Sequence, residues 1–98
     1  MAEIKIESYG IKIKLENSET TSLINASHEE EDNVQATMSL LERYGLGGTF
    51  TEPWRIMLSV ISSWIVLNEH LIMHANRNKR GVILTIPWGS LPSLPMSL

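Results

Sequence analysis

His70 and His74 stand four residues apart, a spacing that puts two imidazoles on one face of a helix, and Glu69 adjoins the first of them. That is half of a zinc site. Hydrolytic zinc helices carry the glutamate directly after the first histidine, where it serves as base; here Glu69 precedes His70 and Leu71 follows it. A third ligand would have to be His28, the only other histidine. Two histidines at the solvated end of a helix explain the same residues more simply. They are weak metal candidates, and no cofactor is expected. Ser59, Ser62 and Ser63 are flanked by aliphatic residues, lack a G-x-S-x-G elbow, and have only Asp32 as an aspartate in the whole chain. Leu46-Gly47-Gly48 follows a predicted helix, whereas a phosphate cradle follows a strand.

Two charged clusters stand out. Arg77, Lys79 and Arg80 close a predicted helix, where cations suit the negative pole of its dipole, and the same group could grip phosphate or an acidic partner. Glu29, Glu30, Glu31 and Asp32 make a compact anionic patch at the start of another helix. Patches of opposite sign on one chain suit head-to-tail contact or a charged partner. Trp54 and Trp64 share the apolar stripe of a helix and read as core or interface anchors; Trp88 follows a strand.

The element that must position most of these residues spans Thr49 to Gly81. Thr49 and Glu52 have capping-box spacing, Pro53 falls in the first turn, and neither Gly nor Pro interrupts Trp54 to Ala75. The reading is one helix over 52–77, about 37 Å long at about 1.5 Å per residue. Trp54, Met57, Leu58, Ile61, Trp64, Ile65, Leu71, Ile72 and Ala75 form a broad apolar stripe, and Ile56, Val60 and Leu67 form a second row beside it. A helix so apolar must be covered on several sides. The uncharged run Ile56 to Asn68 is too short for a crossing of ~20 residues, so no membrane span is expected.

The chain has 98 residues, 43% of them hydrophobic and 19% charged, a globular balance for one domain. Net charge is −3 and the pI about 5.5, so a nucleic-acid partner is not expected. There is no cysteine, which removes disulfides and thiolate chemistry. The first residues show no signal-peptide pattern, and a cytoplasmic location is the expectation.

Residues 3–15 alternate, but the apolar parity switches between Ile4, Ile6 and Ile11, Ile13, Leu15. A hairpin pairing Ile6 with Ile11 and Ile4 with Ile13 puts all five on one face, around a Glu7-Ser8-Tyr9-Gly10 loop. The lysines opposite read as a solvated face. Glu16 to Glu19 reads as a turn, and Thr20 to Asn25 as a possible third strand. Ser27 and Glu30 have capping-box spacing for a helix near 28–44 that ends at Gly45, with Val34, Met38, Leu41 and Tyr44 on its stripe. Val82 to Ile86 is apolar at nearly every position, the pattern of a central strand covered on both faces or nearly so. Residues 1–89 form the domain; 90–98 are a Ser/Leu/Pro-rich tail that drapes or stays loose.

The expected class is therefore α+β, in the order β-β-(β)-α-α-β, a small sheet on two helices. The expected function is a non-enzymatic protein-interaction module of the adaptor, inhibitor or immunity type, self-associating as a homo-oligomer through 52–77. Trp54, Ile56, Val60, Trp64 and Leu67 form its interface. The alternatives are a nucleic-acid or ligand-binding regulator using 77–80 and a small metal-dependent enzyme around His70 and His74.

Overall fold

In a computed structural model, which describes residues 2–28, 31–46, 52–89 and 92–98 without the side chains of 46 and 52–54, the N-terminal alternation closes into a hairpin. β1 (Glu3–Ile6) and β2 (Gly10–Leu15) are antiparallel in the expected register, Ile4 opposite Ile13 and Ile6 opposite Ile11. Glu7 and Gly10 exchange backbone hydrogen bonds of 2.7 and 3.3 Å, so the turn itself is only Ser8-Tyr9. Gly10 lies opposite Pro87, where a Cβ would collide with the Ile86 carbonyl. Glycine is needed there for close approach of two strands.

β3 (Val82–Pro87) runs antiparallel to β2, and the short β4 (Met96–Ser97) antiparallel to β3, giving the order β1-β2-β3-β4. Ile11, Ile13, Leu15, Val82, Leu84 and Ile86 are buried on one face. The other face carries Lys5, Lys12, Lys14, Ile83 and Thr85, with Ile83 only half-buried. β3 is thus covered on one face rather than both. Ile83 stands opposite Lys14 on one side and Met96 on the other, and the stems of such neighbours shield an aliphatic group without a second layer. Ser93 N–H donates to the Thr85 carbonyl (3.0 Å) and Leu98 N–H to that of Gly81 (3.1 Å), so the end of the chain lies along β3.

The segment Thr20 to Asn25 is not a strand. It belongs to α1 (Asn17–Ser27). Thr20, Leu23 and Ser27 are buried at spacings of three and four, the helical period. Glu16 N–H donates to Glu19 Oε1 at 2.9 Å, half of a capping box, so the predicted turn is a helix start. Thr20 Oγ1 donates to the Glu16 carbonyl at 2.8 Å, which satisfies a hydroxyl that would otherwise be buried without a partner.

Ser27 therefore ends a helix instead of opening one, and the helix expected near 28–44 is shorter. α2 runs Asn33–Leu41 and passes into a wide turn, Glu42–Leu46, where Gly45 has φ 122°. Thr37 and Leu41 are its buried line, with Val34, Met38, Leu40 and Tyr44 half-buried beside them. Tyr44 OH donates to the Glu19 carbonyl (3.1 Å), tying this turn to α1; burial pushes its phenol above the ordinary value of 10.0.

Candidate interaction surface

The predicted rod is two helices. α3 (Glu52–Leu67) and α4 (Glu69–Ala75) meet at a 73° bend, so no single described helix is long and apolar enough to cross a membrane. Asn68 makes the corner. Its side-chain Nδ2 donates to the Trp64 carbonyl at 2.9 Å, the same acceptor its own N–H uses at 3.0 Å, while its carbonyl accepts from Leu71 (3.0 Å) and Ile72 (3.3 Å). One asparagine thus ends one helix and begins the next, because its short amide offers the backbone local partners. The bend also brings Glu69 to α1, where Ser27 Oγ donates to Glu69 Oε2 (2.7 Å) and His28 Nε2 lies 3.3 Å from Oε1. A straight helix of about 37 Å would have matched the longest extent of the molecule, 36 Å. The corner folds that length back onto the sheet.

On α3 the faces separate cleanly. Leu58, Ile61, Ser62 and Ile65 are buried, with Met57 and Trp64 packed beside them. Ile56, Val60 and Leu67 are 62%, 60% and 76% exposed. At about 100° per residue these three fall within an arc of about 40°, with the half-buried Ser63 at its edge, roughly opposite the core line. The exposed row extends about 16 Å along the helix. Nothing charged interrupts it between Ile56 and Leu67.

Ser62 is the misfit on the buried side: its Oγ is fully buried and has no hydrogen-bond partner among the described residues. An unpaired buried hydroxyl costs free energy, and alanine has the higher helix propensity. Ser62→Ala is expected to raise unfolding free energy by about 1 kcal/mol in urea titration; a loss of that size would mean the hydroxyl is held by a partner.

The other sequence-nominated residues disperse. Trp64 is half-buried against the core, and the side chain of Trp54 lies outside the described residues. Glu29 and Glu30 also lie outside them; Glu31 and Asp32 are exposed ahead of α2, Asp32 in left-handed conformation with φ 52°. Arg77, Lys79 and Arg80 are exposed after α4, and Arg77 Nη1 donates to the His74 carbonyl at 3.0 Å, the helix-closing role. Beside them Asn76 knits the turn, donating from Nδ2 to Asn17 Oδ1 (2.9 Å) and accepting at Oδ1 from Gly81 N–H (2.8 Å). Trp88 staples the hairpin turn, its N–H and Nε1 donating to the Tyr9 and Glu7 carbonyls at 3.0 and 3.1 Å.

His70 and His74 are both exposed on α4, while His28 pairs with Glu69; among the described residues no group of three or more His, Asp or Glu is placed to hold a metal ion. Sequence reasoning did not bring Glu69 to the adjacent Ser27 and His28, since the carboxylate follows Ser27 by 42 residues in the chain. Their order places the carboxylate between hydroxyl and imidazole, whereas a nucleophilic serine needs the imidazole in the middle. The groove between α1 and α2, lined by Ser22, Asn25, Ala26, Ser39, Leu40 and Arg43 among others, has Arg43 as the one ionisable side chain among the described residues that line it, and so no acid–base pair among them. Comparison of the chain with protein-family models, with curated proteins and with solved structures finds no match.

Proposed function

We propose that the chain is a non-enzymatic protein-interaction module that self-associates through the outer row of α3. The observation that carries this reading is the exposure of Ile56, Val60 and Leu67 in one stripe, opposite the buried line of the same helix. Aqueous solubility would favour polar side chains at these positions, and an exposed aliphatic row is the form a contact surface takes. Exposed fractions of this size return about 1–2 kcal/mol per side chain when covered. Two copies meeting face to face bury six such groups, set against an association cost of at least about 4 kcal/mol. The balance leaves at most about 2–8 kcal/mol, a dissociation constant of about micromolar at the tightest and millimolar or weaker at the other end.

Val60→Glu puts a carboxylate in the centre of the row without touching the core. The expected result, by sedimentation velocity over a concentration series, is loss of this contact with far-ultraviolet circular dichroism unchanged. A Val60→Glu protein with the mass distribution of the wild type would rule out α3 as the contact.

A further inference from the structure

β1 is the outer strand of the sheet, and the hydrogen-bond pattern of the hairpin tells which of its residues face outward. The Glu7–Gly10 pair exchanges both backbone hydrogen bonds, and such pairs alternate along an antiparallel ladder. Lys5 opposite Lys12 and Glu3 opposite Lys14 are therefore the bonded pairs, and the N–H and C=O groups of Ile4 and Ile6 point away from β2, while the turn Glu42–Leu46 packs against the strand, with Ile4 Cδ1 3.6 Å from where a Cβ at Gly45 would lie. Among the described residues these outward groups have no hydrogen-bond partner. The same strand ends the apolar face of the sheet loosely, with Ile4 half-buried and Ile6 64% exposed.

We infer that this edge is completed by β1 of a second copy, paired antiparallel about a two-fold axis through Ile4. The register follows from charge. Outward-facing residues must meet outward-facing residues, so Ile4 can lie opposite Ile4, or the strands can slip by two. One slip sets Glu3 against Glu3 and the other sets Lys5 against Lys5. Only the central register sets Glu3 of each copy opposite Lys5 of the other, on the outer face of the sheet. Within its own chain Lys5 faces Lys12, a like-charged pair that is unfavourable on adjacent strands, and the second copy's carboxylate offsets it. On the inner face the row Leu84, Ile13, Ile4 continues across the axis into its own copy, and Ile6 comes to lie beside the second copy's Ala2. About six main-chain hydrogen bonds join the two strands. Lysine on an edge ordinarily discourages pairing; here it permits one register and rejects the neighbouring ones.

This contact is separate from the α3 row. Each is two-fold, so a chain with both builds a tetramer or a longer assembly. Sedimentation of the full-length chain distinguishes them. In the Val60→Glu background a dimer is expected, and a monomer at all concentrations overturns the β1 contact while leaving the α3 reading intact. If Val60→Glu leaves the wild-type mass unchanged, the α3 reading fails and the β1 contact stands or falls on the next variants. Adding Lys5→Glu, or separately Glu3→Lys, turns both attractive pairs repulsive and is expected to weaken the dimer roughly tenfold or more. Mixing these two variants restores opposite charges in every pair and restores the dimer. Ile4→Pro removes an outward N–H without removing a β1–β2 bond, so it should give a folded monomer. In the Val60→Glu background, a Lys5→Glu or Ile4→Pro protein that still dimerises, or a mixture that stays monomeric, overturns the proposal.

Discussion

Ile65→Ala is expected to lose about 3–4 kcal/mol of unfolding free energy, whereas Ile56→Ala on the same helix stays within about 0.5 kcal/mol of the wild type. Ile65 is fully buried on the core line of α3 and Ile56 is more than half exposed on its back. Truncating the first removes three methyl or methylene groups from a packed interior and leaves a cavity; truncating the second removes contacts with water. Alanine's higher helix propensity further favours the second change. Urea titration at a dilution where the chain is monomeric checks both, since association would add its own stabilisation to the wild type. Equal losses at the two positions would mean that α3 is covered on both sides within one chain.

Gly81→Ala is the second large effect. Gly81 has φ +102°, and a Cβ there would meet the Leu15 carbonyl and, at 3.0 Å, Glu16 Cα. It also joins three segments: its N–H donates to Asn76 Oδ1, and its carbonyl accepts from Leu98. Backbone cannot move aside as a side chain can, so the end of β2 and the start of β3 would have to separate. The expected loss is at least about 3 kcal/mol, a large part of the ~5–15 kcal/mol that holds a domain folded. Gly89 provides the comparison. Its φ is +70°, and nothing among the described residues lies within 4 Å of an added Cβ, so Gly89→Ala should cost only the left-handed backbone strain of about 1–2 kcal/mol. If the two variants unfold at the same urea concentration, the close approach at Gly81 is not what requires glycine there.

The parts legible in the sequence are those where one period dominates. The parity switch between Ile6 and Ile11 dictated the hairpin register, because only folding back returns five aliphatics to one face. The uncovered row on α3 was visible for the same reason: Ile56, Val60 and Leu67 share an azimuth that the core line does not need. What could not be read depended on single side chains choosing among local partners. Asn68 lies in a run with no Gly or Pro, and only its amide reaching back to Trp64 turns the chain by 73°. α1 was hidden because Thr20 and Thr21 look β-prone, while the deciding interactions are the Glu19 carboxylate on Glu16 N–H and the Thr20 hydroxyl on the Glu16 carbonyl. At Val82 to Ile86 composition was a poor guide to coverage. Ile83 sits on the open face among lysine stems, and hydrophobicity alone cannot tell partial shielding from a second layer. Of the site, the aliphatic row was legible, whereas the outward-facing backbone of β1 required the ladder's phase at Glu7 and Gly10.

The most direct test of α3 as the contact surface is methyl NMR with a soluble paramagnetic agent, read at Ile56, Val60 and Leu67 over a concentration series. If α3 is that surface, these three methyl sets broaden strongly in dilute solution and become protected as the concentration rises, while the buried Ile65 stays protected throughout. Unchanged broadening of all three at every concentration, in a chain that sediments as an oligomer, would contradict it.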